Sequence, residues 1–232
     1  MTELRVFPIT GMPEVEPGDD LADMICNAAS AQGESLQTND IVVITHKVVS
    51  KQEGRVAAIP SEADYRKLIE DEAARIVRRR GDLVIAQTRH GFVCANAAVD
   101  RSNVAHGTAV LLPIDPDRSA HRIRTLLERA TDARLGVIIT DTFGRPWRRG
   151  LVDVAIGISG LPSIVDLRGS TDTHGNELNV TEVAAVDEIA SAADLVMGKA
   201  TGIPAAVVRG LELVGDGRAT DLVRPAEEDL FR

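Results

Sequence analysis

The stretch that most constrains this chain is Leu135-Gly-Val-Ile-Ile-Thr-Asp-Thr-Phe-Gly-Arg-Pro-Trp-Arg-Arg-Gly150. The apolar run from Gly136 to Ile139 reads as a buried strand. It stops at Thr140-Asp141-Thr142, and a turn with Gly144 and Pro146 is expected next, carrying Arg145, Arg148 and Arg149 around the only tryptophan, Trp147. A carboxylate between hydroxyls at a strand end suits a hard divalent cation, which prefers oxygen ligands. Guanidinium groups beside it suit phosphate, which they grip in bidentate fashion. Metal with phosphate is therefore the first chemistry suggested. Against it, Asp-Thr after a strand is also a common turn or cap, and clustered arginines are usually solvated.

The 232 residues suffice for one large domain or two small ones. Aromatic residues make up only 3%, so the core must be built from Val, Ile, Leu and Ala, and stacking platforms for single-stranded nucleic acid are scarce. A formal charge of -9 without a long basic block argues against nucleic acid as a partner but leaves room for a small basic site. Cys26 and Cys94 are far apart and lack metal-type spacing, which fits a reducing cytoplasm. The histidines form no H-x-x-x-H pair, so a structural zinc site is not indicated. There is no signal-peptide pattern and no apolar run of membrane-spanning length. The expectation is a cytoplasmic protein with no membrane partner.

Periodicity predicts a strand over 4–9, a helix capped at Asp19 or Asp20 and running to about Ala31, and a strand over 40–45. Ser61 is expected to cap a helix reaching Arg80, where Gly81 closes it and Arg78, Arg79 and Arg80 complement the dipole. Strands are expected over 82–87 and 91–95, joined tightly at Arg89-His90, and over 110–112. A helix over 115–133 precedes the key strand. Strands over 152–158 and 163–167, an irregular polar loop over 170–179, a helix over 181–195 and a strand over 205–208 complete the reading. Strict βαβ alternation is missing, so an α+β fold is predicted, with mixed or antiparallel sheets and flanking helices. No linker composition marks a break near 60–80 or 170, and residues 1–232 are read as one functional unit.

The standard nucleotide motifs are absent. Gly198-Lys199 looks like half of a Walker loop, but Ala200 stands where Ser or Thr is needed and Ala193 where the first Gly belongs. Lys47 and Lys51 follow the 40–45 strand and, in extended geometry, share a face suited to phosphate; solvated edge lysines are the plainer reading. Asp100 and Asn103 sit in an expected loop, where Asp100 could share a metal with Asp141 or simply form an Asx turn. Gly198 and Gly202 permit close approach to a ligand, though Gly198 also fits a helix C-cap.

Together these segments resemble the coenzyme F420-0:γ-glutamyl ligase family. The resemblance runs through Phe7-Pro-Ile-Thr-Gly-Met-Pro-Glu14, Pro17-Gly-Asp-Asp-Leu21, Val48-Val-Ser-Lys-Gln-Glu-Gly-Arg55, Asp100-Arg-Ser-Asn103 and Thr140 to Gly150. It continues through Asp187-Glu-Ile-Ala190, Leu195-Val-Met-Gly-Lys199 and Glu227-Glu-Asp-Leu-Phe231. It implies a GTP-dependent amide ligase that adds L-glutamate to coenzyme F420-0, working as a homodimer with Mg²⁺ or Mn²⁺ (two divalent ions) and K⁺. On matching positions Asp100, Asp141 and Thr142 would hold the metals. Met12, Pro13, Glu14 and Val15, with Lys51 and Asn103, would contact GTP, and Gly198 and Lys199 would lie near the nucleotide. The family frequently has Ser near position 46, where this chain has His46 as the candidate contact. Asp141 and Arg148 are the expected catalytic residues; Arg145, Arg148 and Arg149 are assigned to anionic groups, and the 170–179 loop to closure over an acyl phosphate. Many actinobacterial members carry a nitroreductase-like domain after the ligase domain, so the chain is either a stand-alone ligase or that domain of a longer enzyme. The rivals are a metal-dependent phosphotransferase or nucleotide hydrolase, and a deazaflavin-binding module without catalysis.

Overall fold

The computed structural model describes residues 3–229; Leu230 and Phe231, which end the last matching segment, lie outside them. In chain order the elements are β1 (Arg5–Ile9), α1 (Leu21–Ala31), β2 (Ile41–Thr45), α2 (His46–Gln52), β3 (Val56–Ala58), α3 (Glu62–Glu72), β4 (Ala73–Arg80), β5 (Leu83–Thr88), β6 (Val93–Ala95), β7 (Thr108–Val110), α4 (Pro116–Thr131), β8 (Gly136–Arg145), β9 (Arg148–Ser159), β10 (Val165–Asp166), β11 (Glu182–Val183), α5 (Ala185–Met197) and β12 (Ala205–Arg209).

Five strands form the main sheet in the order β1-β12-β2-β8-β9. β2 and β8 run parallel, and the other neighbours are antiparallel. The central strands carry unbroken apolar runs, Ile41 to Ile44, Gly136 to Ile139 and Ala205 to Val208, because both faces are covered there. Val42, Ile44, Val137 and Ile139 join a core with residues of α1 and α4. Their alternates Ile41, Val43 and Ile138 face Val186, Ile189 and Ala193 of α5 on the other side. A second, smaller core with Ile59, Tyr65, Ile69, Val84 and Ala86 joins α3 to the sheet β4-β5-β6. The predicted mixed α+β class holds.

Local chemistry starts the helices where expected. The Asp20 carboxylate accepts the Ala22 and Asp23 N–H groups at the head of α1. Asp115 accepts from Arg118 at the head of α4, with Pro116 at the first helical position. Where β9 crosses α4 the backbones are in close contact: a Cβ on Gly157 would lie 2.5 Å from the Pro116 carbonyl carbon and oxygen. Neither is a flexible side-chain tip that can yield. Gly157→Ala is expected to cost about 1–3 kcal/mol, measured as a lower urea midpoint at unchanged slope.

Several expectations are corrected. The helix from Ser61 ends at Glu72, and Arg78, Arg79 and Arg80 lie on β4, paired with Val84 and Leu83 of β5 and their neighbour Ile85. Cross-strand pairing outweighs local helix propensity there, with Ile76 turned onto the small core. Residues 46–52 are a helix and not extended, so Lys47 and Lys51 share a face as i and i+4 neighbours. β8 does not stop at Thr142 but runs to Arg145, and the turn is Pro146-Trp147 at the tip of a long hairpin with β9. Residues 170–179 form a narrow hairpin, with Asp172 accepting the His174 and Asn176 N–H groups at 2.8 Å. The last helix begins at Ala185, because Glu182–Val183 pairs with β10. Among the described residues no helix is long and apolar enough to cross a membrane.

Candidate functional site

β2 and β8 end side by side, with Thr45 opposite Thr140. Beyond that edge β2 turns at once into α2, while β8 continues as a strand. A cavity of about 460 Å³ opens in the space between. Its wall is assembled from distant segments. The loop after β1 supplies Met12, Pro13, Glu14 and Val15, and α2 supplies Lys47 and Lys51. Asn103 comes from the segment before β7, Thr142 from β8 and Asp153 from β9. The end of α5 supplies Asp194, Gly198 and Lys199.

Every ammonium group on the wall has an oxygen partner. Lys51 pairs with Glu14, and Lys47 Nζ lies 2.9 Å from Asp100 Oδ2. Lys199 Nζ donates to Thr142 Oγ1. The Thr142 hydroxyl in turn donates to Asp153 Oδ1, and Thr140 Oγ1 donates to Asp153 Oδ2 at 2.9 Å. Two threonines one strand period apart thus satisfy one buried carboxylate across the β8–β9 ladder.

Asp141, between those threonines, points to the opposite face. Its Oδ1 accepts the Thr142 N–H at 2.7 Å and lies 3.3 Å from His46 Nε2. His46 is fully buried, and Nε2 has no properly angled hydrogen-bond partner. Burial, reinforced by the charge of Asp141, pushes the Cys94 thiol up to about 12, so this cysteine is an inert neutral neighbour. Asp194 is also held above the ordinary carboxylate range, by burial and then by the charge of Asp153, partly offset by Lys199.

Asp100 reaches the site through an unusual backbone. Asn96, Ala97 and Ala98 have φ of 51°, 51° and 59°, a left-handed turn built without glycine. Such residues cost roughly 1–2 kcal/mol each and persist only where their surroundings fix them. Here Asn96 accepts the Val84 N–H and donates to the Tyr65 hydroxyl, which itself donates to the Val99 carbonyl. The turn delivers Asp100 to a backbone pairing with Val110 in both directions. Burial alone would raise the Asp100 carboxyl, but the Lys47 charge and hydrogen bonds from Lys47 and Ser102 outweigh it and hold it below the ordinary range.

The chain from residue 10 to 210 matches the family profile described as F420-0:Gamma-glutamyl ligase. The chain belongs to the F420-0:gamma-glutamyl ligase family. Relatives bear this out along nearly the whole length. The protein of Methanothermobacter thermautotrophicus named coenzyme F420:L-glutamate ligase is 44% identical over 249 residues, covering 99% of each chain. Its namesake from Methanopyrus kandleri is 41% identical, covering 99% of this chain and 98% of the relative. That of Methanocaldococcus jannaschii is 44% identical over 85% of this chain and 86% of the relative.

Of the positions drawn from that family likeness, Met12, Pro13, Glu14, Val15, Lys51, Asn103, Thr142, Gly198 and Lys199 all lie on the one cavity wall. Asp100 and Asp141 are each one step behind it, the first bonded to Lys47 and the second adjacent to Thr142. They therefore flank the same first turn of α2. His46 lies behind the wall rather than on it. Arg145, Arg148 and Arg149 are not on it either. Arg145 lies four residues past Asp141, roughly 13 Å along the strand, at the tip where Trp147 is 79% exposed. No residue of 170–179 lines the cavity.

Asp153 and Asp194 were missed as site residues. For Asp153 a signal was present: a lone carboxylate between Val152 and Val154 in an apolar strand must find partners when buried. For Asp194, in an ordinary amphipathic helix, there was none.

The carboxylates of Asp100 and Asp141 offer only oxygen, as a hard divalent cation prefers, and Asp100 is kept ionised by its surroundings; the Thr142 hydroxyl, on the other face of β8, is engaged with Asp153 and Lys199. Among the described residues no three His, Cys, Asp or Glu side chains converge to cage an ion alone. Mg²⁺ is commonly held that way, by one or two carboxylates with substrate phosphate and water completing the shell.

Proposed function

We propose that this protein joins L-glutamate to coenzyme F420-0 in a GTP-driven amide ligation, a step of coenzyme F420 biosynthesis. A carboxylate does not react with an amine at neutral pH unless it is activated. In the proposed route a carboxylate oxygen of F420-0 attacks the γ-phosphorus of GTP, and the bond to the GDP oxygen breaks. The glutamate nitrogen then attacks the acyl carbon, loses a proton, and phosphate departs. Further cycles on γ-carboxylates would lengthen the tail.

Such chemistry asks a protein chiefly for positioning and for charge opposite the phosphates. Lys51, Lys47 and Lys199 bring three ammonium groups to one cavity. The Met12–Val15 loop supplies apolar and backbone surface for the rest of the nucleotide. Asp100, Asp141 and Thr142 would hold Mg²⁺ or Mn²⁺, whose charge would offset that of the phosphate oxygens. The single observation that carries this reading is the convergence of segments around residues 12–15, 47–51, 103, 142 and 198–199 on one concave wall beside two carboxylates.

The test is mass spectrometry of the deazaflavin after incubation with GTP, L-glutamate and Mn²⁺. The expected product is F420-0 extended by glutamate, with one GDP released per amide and none released without glutamate. Steady GDP release in the absence of glutamate, with no mass gain, would identify a nucleotide hydrolase instead.

A further inference from the structure

The lysines on the cavity wall differ in what they would leave behind on moving. Lys51 pairs with Glu14, which is largely exposed and has water at hand. Lys199 bonds a neutral hydroxyl. Lys47 is different. It is only 8% exposed, and its ammonium lies 2.9 Å from the carboxylate of Asp100, one of the oxygen donors assigned above to a divalent cation. An ammonium and a divalent ion cannot share that oxygen without strong like-charge repulsion.

We infer that Lys47 is the built-in counter-cation of Asp100, displaced when a divalent ion binds, and that its freed ammonium then serves the polyanionic nucleotide in the same cavity. The inference rests on the proposed ligation site. Its geometry says which partner moves. Asp100 is pinned: its N–H and C=O both pair with Val110, and Oδ1 accepts the Ser102 N–H at 2.7 Å. Lys47 has a four-carbon stem that can swing without moving α2. It lines the cavity one helical turn before Lys51, so a small swing adds its charge to that of Lys51. The pairing also has a reason to exist when no cation is bound: Lys47 is buried and Asp100 partly so, and each charge offsets the desolvation of the other.

Coupling follows. The cation must displace Lys47 from Asp100, and the nucleotide draws Lys47 away, so each ligand eases the binding of the other by the same factor. Mn²⁺ binding to the full chain, read by the electron paramagnetic resonance of free Mn²⁺, tests this with and without a non-hydrolysable GTP analogue. Lys47→Met keeps the aliphatic stem and removes the charge. It should bind Mn²⁺ alone more tightly by roughly tenfold or more, the scale of coupling between close charge pairs, and the analogue should strengthen Mn²⁺ binding by a smaller factor than in the unsubstituted protein, the direct phosphate–metal contribution being all that remains. Lys47→Gln should behave alike and serves if the Met variant does not fold, whereas Lys47→Arg should retain weak binding of Mn²⁺ alone. Unchanged or weaker Mn²⁺ binding by both neutral variants, with Asp100→Asn abolishing it, would overturn the inference and leave the metal assignment standing. Mn²⁺ binding indifferent to Asp100→Asn would remove the metal assignment and the inference together.

Discussion

Asp141→Asn is expected to lower amide formation by roughly 10³-fold or more, the scale on which single charge-stabilising groups act in phosphoryl transfer. The substitution keeps the shape of the side chain and its acceptance of the Thr142 N–H, but removes the charge. Asp141 sits where β8 runs past the end of β2 beside α2, next to His46 and the thiol of Cys94. The fold should survive, because the packing of β8 on β2 and β9 does not depend on that charge. Product formation by mass spectrometry, read beside the melting temperature, separates the two effects. A near-normal ligation rate from a well-folded Asp141→Asn protein with added Mn²⁺ would show that this carboxylate holds no metal.

The largest loss of stability is expected from Arg209→Met. Arg209 closes β12, and its guanidinium grips Asp40 with two parallel bonds of 2.7 Å. It also donates to the Ser35 carbonyl and lies 5.2 Å above the Phe7 ring. Asp40 is completely buried at the head of β2. Removing the cation therefore strands an uncompensated buried carboxylate, at a cost of about 3–5 kcal/mol. The Met side chain keeps most of the packing of the stem, so the loss reports the charge. A chemical denaturation series should place Arg209→Met well below the parent, and the double variant Asp40→Asn with Arg209→Met should lose much less than the sum of the two single changes. A cost below about 1 kcal/mol, the usual range for an exposed pair, would mean that the pair acts as a solvated surface bridge.

Much of this architecture is written locally. The runs Ile41 to Ile44 and Gly136 to Ile139 announce strands covered on both sides, and Asp20, Ser61 and Asp115 announce helix starts through the side-chain oxygen each offers to a free N–H. Where local signals were misleading, a distant partner decided. Residues 73–80 read as the end of a helix until β5 offers a ladder. The arginines after Asp141 read as part of its turn, yet the antiparallel pairing of β8 with β9 carries them to a hairpin tip away from the cavity.

The site follows the same division. Asp141 is legible because an apolar run ends abruptly in a carboxylate. The pairing of Lys47 with Asp100, across 53 positions of sequence, is not legible, because it depends on a left-handed turn at residues 96–98 in which Ala97 and Ala98 have no local preference for that conformation.

By itself the sequence determined the aliphatic strands, the helix caps, the family, and which residue types were on hand for phosphate and metal. Those follow from side-chain period, cap chemistry and ordered motifs, all of which are local. Only the tertiary structure decided which of them meet. Parallel pairing of β2 with β8 sets α2 beside the continuing strand, and register across β8 and β9 turns Thr140 and Thr142 onto Asp153 while Asp141 faces the other way. Register and crossover are fixed by burial summed over the whole chain, and no window of neighbouring residues contains that sum.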